Sequence, residues 1–249
     1  MASRLKKLGV NLYAWPLFVL LTLLFGLALP LIMAGALILG EKSPGRTIRL
    51  AVRQYGGLLL RLFRPVVPVS LENKAGELPL PVIFVANHNS AIDPYLFGLL
   101  PVENAFVTSW PFQMPFYRQI MQRAGYIDVR FGWSAVASQG RKLLAAGSSI
   151  IVWPEGHRSR TGKMRRFRKG AFQLAVATGR PVVPVCILGS GRVLPPGSLF
   201  FNPGRIKVVI LPPVSLPAAD QGPLTPEYLL AEARRSISEE LVGRQRQPA

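Results

Sequence analysis

Two histidines stand among 249 residues, and each sits in a stretch whose neighbours can do chemistry. His88 lies in Asn87-His88-Asn89-Ser90-Ala91-Ile92-Asp93, with the aspartate five positions further on. An imidazole that takes a proton near neutral pH, with a carboxylate close enough to orient it, is the minimum equipment for activating a hydroxyl. His157 lies in Trp153-Pro154-Glu155-Gly156-His157-Arg158-Ser159-Arg160, and Thr161-Gly162-Lys163 follow. Seven basic residues run from Arg158 to Lys169 without an acid: Arg158, Arg160, Lys163, Arg165, Arg166, Arg168 and Lys169. Guanidinium forks suit phosphate oxygens, and glycines let main-chain N–H groups approach an anion.

Each stretch also has a plainer reading. An isolated His-x-x-x-x-Asp is a loose pattern, and Asp93 before Pro94 suits a helix N-cap, with Ser90-x-x-Asp93 resembling a capping box. The basic run fits a solvated loop against anionic headgroups, the reading preferred for Arg165 to Lys169. For Arg158, close behind Glu155-Gly156, the site reading is preferred.

Both stretches follow short apolar runs, and the chain from Val66 onward alternates such runs with helical patterns. Strands are expected at 67–71, 82–86, 105–108, 126–129, 149–153, 182–188 and 206–211. Helices are expected at 94–100, 116–124, 134–146, 170–178 and 226–241. The alternation predicts an α/β domain with a largely parallel mixed sheet flanked by helices. In such a sheet, ligands bind in the loops at strand C-termini, where both histidines fall. The Pro-rich stretch 212–226 reads as a loop, and the polar residues after Gly243 as a frayed tail.

Before this domain, Leu8 to Gly40 carries no charge at all, longer than the roughly 20 apolar residues that span a bilayer. Pro30 divides it into a longer and a shorter piece, which allows one kinked span or a hairpin returning to the same face. On Arg46 to Arg64, Arg46, Arg49, Arg53, Arg61 and Arg64 fall within about 60° of one direction on a helical wheel. An Arg stripe opposite an apolar face fits a helix lying among headgroups, or one packed on the domain, or both. The expected organisation is therefore 1–64 as membrane-anchoring helices, 65–243 as the α/β domain and 244–249 as a polar tail.

Composition agrees. The 30 Lys and Arg against 12 Asp and Glu give a net charge of +18, which calls for an anionic partner. A mean hydropathy of +0.29 favours a membrane surface over nucleic acid. The single Cys186, in an apolar strand, excludes an intrachain disulfide, and no metal site is expected.

The motifs resemble the signature blocks of the glycerolipid acyltransferase family, typified by 1-acyl-glycerol-3-phosphate acyltransferases. The stretch 87–93 matches N-H-x-S-x-x-D, and Trp153 to Ser159 matches F-P-E-G-T-R-S, continued by Phe167-Arg168-Lys169-Gly170-Ala171-Phe172. Gly125-Tyr126-Ile127-Asp128-Val129-Arg130 is similar to a second block, and Val182-Val183-Pro184-Val185 to a fourth. The likeness covers about residues 65 to 215, with the blocks in the family's order. His157 departs from the family's Thr, and Thr108 or Ser109 stands where a Lys is common.

The resemblance implies a membrane-bound O-acyltransferase. His88 would be the general base and Asp93 its orienting carboxylate. Acceptor binding would fall to Glu155, Gly156, Arg158, Arg130, Ser90 and His157, with Glu155 either on a glycerol hydroxyl or holding Arg158. Main-chain N–H groups near Asn89 and Ser90 are the expected oxyanion donors. No cofactor is implied: acyl-CoA or acyl carrier protein is the co-substrate, and a membrane lysolipid the acceptor. The acceptor would be 1-acyl-glycerol-3-phosphate, giving phosphatidic acid, or another lysolipid, a lyso-ornithine lipid or a lysophospholipid. The expected location is the membrane, on the cytoplasmic face of the inner membrane in a bacterium. A non-catalytic module binding anionic lipid or nucleic acid is the remaining alternative.

Overall fold

The computed structural model describes residues 2–214 and 224–245. Seven strands form one sheet: β1 Val69–Asn73, β2 Ile83–Ala86, β3 Asn104–Thr108, β4 Ile127–Asp128, β5 Ser149–Val152, β6 Val182–Leu188 and β7 Ile206–Ile210. Their order is β1-β7-β6-β2-β5-β3-β4, parallel throughout except for the antiparallel pair β6–β7. Every expected strand is present, within two residues at each end. The central strands β2 and β6 are apolar along nearly their whole length because both faces of the sheet are covered.

One face packs under α5 (Gly132–Ala145), α6 (Gly170–Thr178) and α8 (Pro226–Gln245), around Ile83, Val85, Ile150, Leu144, Phe172 and Ile237. The other packs under α3 (Asp93–Leu96), the 3-10 turn Phe97–Leu99 and the N-terminal helices, around Phe84, Ile151, Val183, Phe63 and Phe97. A short α4 (Pro115–Arg123) follows β3, and α7 (Ser190–Val193) follows β6. Residues 215–223 of the expected Pro-rich loop and 246–249 of the expected tail lie outside the described residues. The start of that tail continues α8, which runs to Gln245.

The apolar run forms one helix, α1 (Ala2–Ile38), which contains Pro16 and Pro30 without interruption. The hairpin allowed at Pro30 is therefore not made within the run. The chain turns back only at 39–43 and enters α2 (Pro44–Phe63), where Ser43 caps the first turn and Pro44 leads the helix. Among the described residues, Arg4–Ile38 is the helix long and apolar enough to cross a membrane, with almost none of its most apolar window buried.

The Arg stripe of α2 divides in two. Arg46, Arg61 and Arg64 are exposed as expected. Arg49 is only 5% exposed and pairs with Glu103. It also donates to the carbonyl of Ala124 at 2.6 Å and to Ser148 Oγ at 3.0 Å. Arg53 donates to the Leu100 carbonyl at 2.5 Å. These two residues dock α2 on the domain instead of facing headgroups. The helix also crosses the turn after α3 backbone against backbone: a Cβ on Gly98 would lie 2.3 Å from the nitrogen of Gly57.

Candidate active site

The site grows from the C-terminal ends of β2 and β5, neighbours in the sheet. Past β2, Asn87 extends the pairing with its side chain. Its amide donates to the Ile187 carbonyl at 2.8 Å and accepts the Ile187 N–H at 2.7 Å, clamping the turn to β6. His88 follows, and its Nδ1 lies 2.8 Å from Asp93 Oδ2. The same oxygen accepts the N–H groups of Asn89 at 2.8 Å and Ser90 at 2.9 Å.

Asp93 is fully buried and begins α3, with Ile92 as the N-cap residue. Half of the anticipated capping box is present: Asp93 reaches back to the Ser90 N–H, while Ser90 Oγ takes the N–H of Ile92 at 3.3 Å. An imidazole that donates Nδ1–H to this carboxylate keeps Nε2 as its basic nitrogen. The anticipated oxyanion donors are spent, since the N–H groups of Asn89 and Ser90 both point at Asp93.

The turn after β5 is laced to the same histidine. Glu155 Oε1 accepts the His88 N–H at 2.8 Å, and the His88 carbonyl accepts the Ser159 N–H at 2.8 Å. Glu155 Oε2 accepts the Arg165 N–H at 2.8 Å. Both carboxylate oxygens are thus held by main chain, and the residue is 3% exposed. It neither faces outward for a glycerol hydroxyl nor holds Arg158, the two roles anticipated for it. Burial pushes its carboxyl above the usual range, partly offset by the hydrogen bonds from Arg165 and His88.

Ser90, anticipated at the acceptor, is fully buried and donates to the Leu194 carbonyl at 2.7 Å. It is a strut. Gly156 turns the chain with φ +74°, and the guanidinium of Arg168 lies where a Cβ would come within 3.0 Å of it. His157 and Arg158 are exposed beside this turn.

Arg130 is brought to the same sheet edge but is engaged. It makes a fork to Asp128, with Nε 3.0 Å from Oδ1 and Nη2 2.6 Å from Oδ2. Burial raises the Asp128 carboxyl, and the hydrogen bonds from Arg130 outweigh it, leaving the group below its ordinary value.

Three features of the site fall within the quoted stretches, but their contacts could not be read from local spacing. Trp153 lies against His88, ring centroids 5.0 Å apart at 30°, and is itself wedged between Phe97 and Phe106. Arg165 and Arg168 fold back onto the turn, Arg168 also through its N–H to the Pro154 carbonyl at 2.8 Å. Asn87 is the clamp described above. Among the described residues, no three His, Cys, Asp or Glu side chains gather as a metal-ligand set.

A histidine–carboxylate pair at the end of one parallel strand is thus strapped to a Glu-Gly-x-Arg turn at the end of its neighbour in the sheet. The Acyltransferase family model matches residues 61–188, and the chain belongs to that family. It is 33% identical over 167 residues to the chloroplastic 1-acyl-sn-glycerol-3-phosphate acyltransferase BAT2 of Brassica napus, which covers 65% of this chain and 46% of that protein. The 1-acyl-sn-glycerol-3-phosphate acyltransferase of Saccharomyces cerevisiae is 31% identical over 170 residues, covering 65% and 55%. The chain spans about half the length of these curated relatives. In fold it is similar to the crystal structure of the 1-acyl-sn-glycerophosphate (LPA) acyltransferase PlsC from Thermotoga maritima. That comparison has a TM-score of 0.71 at 21% identity, over 99% of this chain and all of that one.

Proposed function

We propose that the protein transfers a fatty acyl group from a thioester donor to the free hydroxyl of 1-acyl-glycerol-3-phosphate, giving phosphatidic acid at a membrane surface. The observation that carries this reading is the 2.8 Å pair of His88 Nδ1 and Asp93 Oδ2, placed where two parallel strands end. The acceptor follows from what the relatives are named for and from the exposed Arg158, three residues beyond the Glu155 strap.

In this mechanism Nε2 of His88 takes the hydroxyl proton as the oxygen attacks the thioester carbonyl. The tetrahedral adduct then collapses, the C–S bond breaks, and the proton passes from His88 to the departing sulfur. Asp93 holds the tautomer and offsets the positive charge on the ring, and the Trp153 face adds cation–π stabilisation. Transfer is direct, without an acyl-enzyme. Arg158, with Gly156 and His157 beside it, receives the acceptor's phosphate, while Glu155 and Ser90 hold the turns in place. The helix α1 and the exposed arginines of α2 keep the site at the bilayer, the cytoplasmic leaflet in a bacterium.

Product analysis by mass spectrometry tests the reading. Membranes carrying the protein, given 1-acyl-glycerol-3-phosphate and an acyl thioester, are expected to form phosphatidic acid, and His88→Ala membranes to form none above background. A specific observation supports a second reading, in which the acceptor is another lysolipid: Thr108 and Ser109 stand where a phosphate-facing Lys is common in the family. Competition between lysolipids in the same assay separates the two.

A further inference from the structure

The connection from β6 to β7 contains Leu194-Pro195-Pro196-Gly197-Ser198-Leu199-Phe200-Phe201-Asn202, and its tip is built rather than slack. Ser198 Oγ accepts the Phe200 N–H at 2.9 Å and donates to the Phe200 carbonyl at 3.0 Å. The Asn202 N–H donates to the Val193 carbonyl at 2.7 Å and closes the base. Phe201 turns inward, 4% exposed, against the rings of Trp15 and Phe63. Leu199 and Phe200 are left outward, 72% and 60% exposed. Two large apolar side chains held out in water gain from any apolar medium that receives them.

Helix α1 indicates what that medium is. Asn11 accepts the Phe201 N–H and donates to the Phe201 carbonyl, both at 2.8 Å, and Trp15 Nε1 donates to the Leu199 carbonyl at 2.8 Å. Lys7 Nζ stands 5.8 Å from the centroid of the Phe200 ring. Lys7 is the last charge before the uncharged run Leu8 to Gly40, and Trp15 lies inside that run. The tip is thus level with the boundary where basic residues give way to apolar ones, the depth at which Trp is enriched in bilayers. Arg4, Lys6 and Lys7 are exposed at the start of α1. No acid occurs between Glu155 and Asp220, so nothing in the loop's own sequence opposes anionic headgroups.

We propose that Leu199 and Phe200 insert at the headgroup–acyl boundary of an anionic bilayer, a second membrane contact made by a loop instead of a helix. The inference rests on the reading of α1 as a membrane anchor and adds a wedge to it. The base of the loop reaches the site: Ser90 Oγ donates to the Leu194 carbonyl at 2.7 Å, two residues along the chain from His88. The wedge therefore ties the depth of insertion to the turn that carries His88.

The experiment places a nitrobenzoxadiazole dye at Phe200→Cys and, for comparison, at Glu77→Cys, an exposed residue in the loop that leads into β2. Wild type treated with the same dye corrects for labelling of the buried Cys186. The full chain is reconstituted with vesicles of phosphatidylcholine and phosphatidylglycerol, and flotation reports whether it is bound to them. Floating protein is expected to show blue-shifted emission from Phe200→Cys, quenched several-fold by lipids brominated near the top of the acyl chain, and neither change from Glu77→Cys. Emission from Phe200→Cys that matches Glu77→Cys in floating protein overturns the proposal and leaves the anchor reading intact. Protein that fails to float removes the anchor reading, and the wedge with it. The double variant Leu199→Ser/Phe200→Ser should raise the lysolipid KM several-fold in those vesicles and match wild type in detergent micelles. An equal rise in both media, or none in vesicles, overturns the tie between wedge and site. The fluorescence needs no acyl transfer, so it decides the wedge even if the proposed function falls.

Discussion

Glu155 holds His88 by its main chain: Oε1 accepts the His88 N–H at 2.8 Å while Oε2, on the same carboxylate, accepts the Arg165 N–H at 2.8 Å. One side chain thereby fixes both the turn that carries His88 and the loop that carries the arginines. Because burial raises the Glu155 carboxyl, the folded protein binds a proton there more readily than the unfolded chain. The cost of keeping it ionised is fully present above the folded value and is relieved as pH falls through the carboxylate range. Glu155→Gln has no such titration. The stability of wild type relative to Glu155→Gln should therefore rise as pH is lowered from 7 toward 4.5, measured by thermal melts in detergent. A relative stability that falls over that range would mean that the fold favours the ionised Glu155 carboxylate.

Removing the proposed base, His88, should be more severe for rate than for fold. His88→Ala is expected to lower kcat by at least about 10²–10⁴, the usual contribution of general base catalysis. The melting temperature should change little, since the ring is partly exposed and its main-chain bonds to Glu155 and Ser159 survive. Asp93 differs. Asp93→Ala strips the acceptor from the part-buried donors of His88 and Asn89 and from the buried Ser90 N–H, the last costing about 1–3 kcal/mol when left unmet. It should lose both activity and stability, whereas Asp93→Asn should lose activity with the smaller loss of stability.

Trp153 supplies a graded test of the imidazolium. A cation–π contact contributes about 0.5–2 kcal/mol, so Trp153→Leu should slow kcat by about two- to thirtyfold with KM little altered. Trp153→Phe keeps a ring against His88 and should fall between the two. Equal losses in both variants would mean that ring electrons contribute nothing.

The buried ion pair of Arg49 and Glu103 predicts a non-additive cycle. Either Arg49→Met or Glu103→Leu alone leaves a buried charge and should cost about 3–5 kcal/mol. The double variant should recover much of that, because an apolar pair of similar volume often replaces a buried ion pair without loss. Denaturant or thermal unfolding of the four proteins gives the coupling energy.

Much of this architecture is legible in the chain, and what is hidden has a consistent cause. Runs such as Val182 to Leu188 read as strands because buried parallel strands need apolar side chains on both faces. His88 and Arg158 read as site residues because they follow such runs. Arg49 misleads because helical periodicity places it with the other arginines, while its partners Glu103, Ala124 and Ser148 lie 54, 75 and 99 positions away. Glu155 misleads in the same way: Arg158 is its neighbour in sequence, yet the groups it binds are the main chain of His88 and Arg165. Local spacing reports which face a residue starts from. It does not report the backbone that arrives from elsewhere to meet it.

The crossing of Gly98 against Gly56 and Gly57 tests the attachment of α2. A methyl at Gly98 would meet main-chain atoms at 2.3, 2.6 and 2.8 Å, none of which is a flexible side chain. Gly98→Ala should therefore destabilise the protein by about 1–3 kcal/mol or more and loosen α2, read as faster amide exchange along Leu58 to Phe63.

That contact also bears on how the protein stands on a bilayer. Gly98 lies in the turn directly after α3, and α3 opens with Asp93, the carboxylate paired with His88. At that crossing no side chain separates α2 from the turn that follows α3, so the contact has little compliance to absorb a tilt of the helix. Anchored as proposed, α2 would act as a gauge and not a tether, setting a single height at which the hydroxyl of a lipid meets His88. Lipids whose free hydroxyl sits at another depth would be refused by elevation alone, before any headgroup is recognised.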